Sequence, residues 1–198
     1  MIWCNIYKEL SARIMDMRKM LDNVADLSPE LAEELAAVPD VRYIDLWHEQ
    51  TDYLEEEHLF PSPSVFIGFN TLEISDIGIL AQDIDLQIDL YVFWETFSDT
   101  YNDAVMQENA LNYLNLLTLL GMMLHGKSGT HFGTLRRTHV GRVESGGAGN
   151  LYRISFECKI RDYTTMEQSS QVDMKNKEIN VSAGIVPEII DNNPLYDV

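Results

Sequence analysis

The sequence predicts an α+β fold, a mostly antiparallel sheet of four to five strands packed with two to three helices. Three observations carry this. Residues 83–94 and 152–161 alternate apolar and polar side chains with a period of two, which a strand turns into one buried and one outward face. Residues 2–24 place apolar side chains at steps of three and four, the stripe of an amphipathic helix. Finally, the chain before Phe60 reads as mainly helical and polar, whereas the chain after it reads as a sheet with one long helix laid across it.

At 198 residues with 45% hydrophobic content, the chain can build one medium domain with a full core. Residues 1–164 are expected to form it, 1–38 as its helical N-terminal part, and 165–198 to form an extended or flexible C-terminal arm. No apolar run reaches the roughly 18 residues that a transmembrane helix needs, so no membrane is expected among its partners. The first residues lack a basic segment followed by an apolar block, so no secretory signal is expected. Cys4 and Cys158 stand far apart and offer neither a metal spacing nor a disulfide framework; both read as ordinary thiols of a reducing compartment.

Taken in order, Ile2, Ile6, Leu10, Ile14, Met17, Leu21 and Val24 form the first helical stripe. Ser28-Pro29-Glu30-Leu31 is a helix start, with Ser28 as N-cap, Pro29 in the first turn, and Leu31, Leu35 and Val38 on the buried side; Pro39 ends it. These helices either cover the sheet or serve as a docking arm. Val41-Arg42-Tyr43-Ile44-Asp45-Leu46-Trp47 has strand composition. The acidic stretch 52–58 is expected to be a solvated connector. Phe60-Pro61-Ser62-Pro63-Ser64-Val65-Phe66-Ile67-Gly68-Phe69-Asn70 then brings an apolar strand into the core, and 71–82 reads as a short strand or loop around Gly78.

The long strand 83–94 follows. Asp99 or Thr100 can cap a helix over about 100–124, whose later half is apolar on most sides and therefore central and buried. Residues 134–143 make a further strand, and the glycine-rich turn 145–150 joins it to 152–161 as a hairpin. Beyond Thr164 the periodicity fades into polar residues with small apolar patches, read as an arm that orders against a partner or as a disordered tail.

The net charge of −18 is unevenly spread. The 84 positions from 43 to 126 hold no Lys or Arg and 15 acidic residues, whereas Lys127, Arg136, Arg137, Arg142, Arg153, Lys159 and Arg161 face only Glu144 and Glu157. DNA phosphate should be repelled by the acidic surface. The segregation has two readings. Either the acidic side of one copy meets the basic side of the next, or oppositely charged strands neighbour each other within one sheet. Asp83, Asp85, Asp89, Arg136, Arg137, Arg153, Lys159 and Arg161 are accordingly the candidate subunit-interface charges.

Candidate chemistry is thin. Gly121-Met122-Met123-Leu124-His125-Gly126-Lys127-Ser128 matches the phosphate-binding pattern G-x-x-x-x-G-K-S, but that chemistry needs a strand before the first glycine and a helix after the lysine. Here a helix comes first and a glycine-broken loop follows. Gly126 reads instead as a helix C-terminal cap, with His125 and Lys127 at the negative end of the helix dipole. His48, His58, His125, His131 and His139 show no zinc spacing. Asp83, Asp85 and Asp89 could suggest a metal or acid–base site, but residues two apart on a strand lie about 7 Å from each other, as on a solvated or salt-bridged face. No nucleophile elbow or Cys/His pair is visible. No cofactor, no metal and no enzymatic activity are expected.

The stretch 39–164, about two thirds of the chain, resembles the tail completion or tail terminator proteins of tailed bacteriophages. The resemblance is carried by Val41-Arg42-Tyr43-Ile44-Asp45-Leu46-Trp47-His48-Glu49-Gln50 and by Phe60-Pro61-Ser62-Pro63-Ser64-Val65-Phe66-Ile67-Gly68-Phe69, followed by the long alternating strand. It implies an α/β sandwich subunit forming a homo-oligomeric ring of about six or twelve copies at the head–tail junction. It also implies portal, neck or tail proteins as neighbours, a place in the virion after assembly in the host cytoplasm, and an acidic lumen through which DNA slides without sticking. Residues 187–198 depart from the family pattern. Two other classes remain open: a cellular adaptor whose acidic tail recruits a basic partner, and a nucleotide-binding enzyme using 121–128.

Overall fold

The computed structural model describes residues 1–51, 60–95, 101–144 and 150–165, and of residues 23–27 and 109 the backbone alone. The expected connector 52–58, the Asp99 or Thr100 cap, the turn residues 145–149 and nearly all of the 165–198 arm lie outside the described residues.

The fold is α+β. Its elements run α1 (Ile2–Met15), α2 (Met17–Leu27), α3 (Pro29–Ala36), β1 (Tyr43–Leu46), β2 (Ser64–Gly78), β3 (Ala81–Trp94), α4 (Gln107–Leu124), β4 (Arg136–Arg142) and β5 (Asn150–Asp162). The five strands form one sheet in the order β1-β2-β3-β5-β4. Among the described residues only β1 and β2 pair in parallel; β2 with β3, β3 with β5 and β5 with β4 are antiparallel.

One face of the sheet carries the helices. Ile84, Leu86, Ile88, Leu90 and Val92 of β3 and Ile154, Phe156, Cys158 and Ile160 of β5 share a single core with Ile6, Leu10 and Ile14 of α1 and Leu116, Leu119, Leu120 and Met123 of α4. Each such side chain taken out of water contributes about 1.5–3 kcal/mol before entropy is counted, so this layer holds the fold together. The N-terminal helices therefore cover their own sheet. Burial pushes the Cys158 thiol up to about 11, with the Asp85 charge adding to the effect.

The first helical stripe is split between two helices. Asp16 interrupts the helix (φ −82°, ψ 20°), yet Asp16 N–H still reaches Ala12 O and Met20 N–H reaches Asp16 O. The steps of three and four run through this irregularity, so Met17 and Leu21 stay buried with Ile6, Leu10 and Ile14. Glu9 ties α1 to the loop after α4: its carboxylate accepts from Thr130 N–H at 2.8 Å and faces His131 Nδ1 at 3.0 Å, while Arg13 donates to Ser128 O at 3.0 Å.

Two expectations need correction. Residues 71–82 are not a loop. They are the outer half of a long β2–β3 hairpin, turning at Ile79-Leu80, with bulges between Thr71 and Glu73 and between Asp76 and Gly78. Those bulges shift the alternation, which hides the strand from a period-two reading. The central helix starts at Gln107, not near 100.

Candidate functional site: the open face of the sheet

Among the described residues no helix covers the second face, and its side chains fall into three zones along the strands. At one end Phe66, Phe93 and Leu151 are buried together, with Tyr43, Trp47, Phe60, Tyr91 and Val143 packed against them. The Trp47 and Tyr91 rings stack 3.9 Å apart at 10°, and Phe60 meets Phe66 edge-on at 4.9 Å. Gly68 lies opposite Asp89, beneath these rings: a Cβ there would make ordinary contact with the Tyr91 ring at 3.4 Å and the Trp47 Cβ at 3.7 Å.

In the middle lies Asp89, only 1% exposed. Its carboxylate accepts from Ser155 Oγ at 2.5 Å, from Asn70 Nδ2 at 2.7 Å and from Gln87 Nε2 at 3.0 Å. Three donors from three adjacent strands satisfy this buried carboxyl group. This corrects one prediction. Asp89 is not a subunit-interface charge, because it is enclosed within its own chain.

Toward the hairpin tip the face becomes charged. Arg161 grips Asp83 through Nε at 2.6 Å and a second nitrogen at 3.1 Å, and Lys159 Nζ lies 2.9 Å from Asp85. Arg136 stands 3.9 Å from Glu157. The hydrogen bond from Arg161 holds the Asp83 carboxyl below its ordinary value, and the bond to Asp85 holds Lys159 above its own. These pairs come from the β3–β5 register, which sets Asp83 against Arg161 and Asp85 against Lys159. For these four residues the charge segregation is therefore neighbouring strands in one sheet, and their charges are engaged within the chain. Leu72, Glu73, Asp85, Arg136, Glu157 and Lys159 line an open depression of about 390 Å³ in this zone.

The remaining candidates separate. Arg153 faces Tyr91 in register and is half-buried, and among the described residues nothing accepts a hydrogen bond from its Nε. Arg137 points to the helix-covered side, where a Cβ on Gly121 would meet its guanidinium, and its N–H donates to His125 Nδ1 at 3.1 Å. Arg136, Arg137 and Arg142 all lie on β4 at the end of the sheet.

The stretch 121–128 is a helix terminus. Gly121 to Leu124 belong to α4, His125 caps it, and Gly126 takes φ +74°, the left-handed conformation a glycine supplies at low cost. Gly126 N–H donates to Leu135 O at 2.8 Å, turning the chain into β4. The strand–loop–helix order that would aim N–H groups at a phosphate is not there. Among the described residues no group of three or more His, Cys, Asp or Glu is placed to hold a metal ion, and no helix is long and apolar enough to cross a membrane.

Sequence reasoning missed the aromatic zone and the donors to Asp89. Tyr91 and Phe93 sit on the polar set of β3, a signal that this face turns apolar at one end. Nothing marks Asn70 and Ser155 until the register brings them to Asp89. No family model matches the chain, and no curated protein sequence is significantly similar to it.

Proposed function

We propose that this protein is a structural subunit that forms a ring in the neck or tail of a tailed phage, at the head–tail junction, with DNA passing through the lumen. The observation that supports this best is the order of charge across the sheet. Glu73 on β2 and Asp83 and Asp85 on β3 lie to one side; Lys159 and Arg161 on β5 and Arg136 on β4 lie to the other. The inner members neutralise each other and Arg136 stands by Glu157, which leaves Glu73 and Asp76 toward the β2 border and Arg137 and Arg142 on the β4 border of one molecule. Such a surface complements a displaced copy of itself, so it favours assembly of like subunits. The absence of Lys and Arg from 43 to 126 would give a lumen that repels phosphate.

Size-exclusion chromatography with light scattering on the purified chain, together with negative-stain imaging of phage particles probed with antibody, tests this. A ring of about six or twelve copies and label at the neck are expected. A protein that stays monomeric and is absent from particles would overturn the reading. The exposed Leu72, Ile74, Ile77 and Ile79 favour a second reading, a cellular adaptor that presents its hairpin to another protein. Recovery of the chain in a cellular complex and not in particles would select it.

A further inference from the structure

We propose that copies of the chain join edge to edge, the β4 edge of one copy lying antiparallel along the 68–78 edge of β2 in the next. This rests on the ring reading above and names the two surfaces that would build it. β2 is fifteen residues long, but β1 pairs with it only from Ser64 to Ile67. From Gly68 onward, among the described residues, β2 has a strand on its β3 side alone. At the far end of the sheet, among the described residues, β4 pairs only with β5. Both edges therefore offer a row of backbone groups for another strand.

The two edges are chemically opposite. Residues 68–78 carry Glu73 and Asp76 and no Lys, Arg or Pro. β4 carries Arg136, Arg137 and Arg142 and no acidic residue. Arginines alone would read as protection of an edge; an acidic edge without bases on the same molecule makes them complementary. Apolar side chains match as well. Ile74 is 53% exposed and Val140 44%, and their register partners Ile84 and Ile154 are buried on the helix-covered side, so both project to that side. Edge pairing would set them in one row.

Geometry fits this arrangement. Three antiparallel pairings separate β2 from β4, so the two run in opposite directions. A copy repeated in the same orientation then presents its β2 antiparallel to β4. The seven residues of β4 span about 24 Å at roughly 3.4 Å each, within the reach of the open edge, and β1 blocks sliding past Ile67. The two bulges twist the β2 edge, which disfavours an arbitrary flat strand. Because the paired surfaces differ, the contact does not saturate at two copies; it closes into a ring or propagates.

Charge reversal on the full chain tests this, with light scattering as readout and circular dichroism to check folding. E73K/D76K and R136E/R142E should each raise the concentration for half-assembly by about tenfold or more. An equimolar mixture of the two should recover assembly, since each supplies the edge the other lacks. If the unaltered chain assembles while the reversals change nothing, or the mixture fails to recover, the edge assignment is wrong and the ring reading survives. If the unaltered chain is monomeric throughout, the ring reading falls with it. Should a reversal variant misfold, oxidation of I74C/V140C in a C4S background decides: a ladder of cross-linked multimers supports the contact, and monomer alone overturns it.

Discussion

The two faces of this sheet are built from the same strands by different physics. On the helix-covered face Ile84, Leu86, Ile88 and Leu90 alternate into one apolar layer closed by α1 and α4. On the open face the intervening residues run from an aromatic cluster through a buried carboxylate to exposed ion pairs. The covered face gains its stability from non-directional burial, which tolerates any well-packed apolar set. The open face depends on register, because strand pairing sets Ser155, Arg161 and Lys159 opposite Asp89, Asp83 and Asp85 and brings Asn70 diagonally to Asp89. The larger apolar core therefore lies on one side, while the other adds a smaller aromatic cluster and the charged surface that a partner can read.

The comparison can be broken from its strongest side first. Leu86→Ala, in the fully buried row, should cost about 3 kcal/mol of unfolding free energy, read from the midpoint of urea denaturation. A loss under about 1 kcal/mol would mean that the covered face is not the main core. Asp89→Ala leaves Asn70, Gln87 and Ser155 without their acceptor and should cost about 1–3 kcal/mol by the same measurement, with Asp89→Asn milder because it keeps one acceptor oxygen. A neutral Asp89→Ala would show that the middle zone admits water freely.

The smallest effect belongs to the ion pairs. Asp83 is depressed in the folded chain by the hydrogen bond from Arg161, so its contribution is present above the ordinary value of 3.8 and is lost as pH falls through the lower folded value. Asp83→Asn should barely move the thermal midpoint at neutral pH, because the pair is solvent-exposed, and should flatten the melting curve's dependence on acid below that ordinary value. A large neutral-pH loss would place structural stability in the charged zone after all.

Much of the fold was legible because periodicity is local. The alternation of 83–94 and 152–161 marked β3 and β5 and their apolar rows, and the stripe of Ile6, Leu10, Ile14, Met17 and Leu21 marked the N-terminal helical layer across its irregularity at Asp16. Gly126 announced the end of α4, and the helix-first order around it argued against a phosphate loop. The outer half of β2 stayed hidden because two bulges break the period of two.

What the sequence determined by itself was therefore which residues share a face, since a dihedral period of 2 or 3.6 is a property of neighbouring residues. Which strands lie side by side belongs to the tertiary structure. That decision turned Asp83 and Asp85 from free charges into partners of Arg161 and Lys159, enclosed Asp89 among Asn70, Gln87 and Ser155, and left the acidic edge of β2 and the basic edge of β4 at separate borders of the sheet. Pairing of residues 66 to 78 positions apart in the chain leaves no mark on either segment alone. Only the assembled sheet, with its register fixed by the buried row beneath, sets which charge meets which.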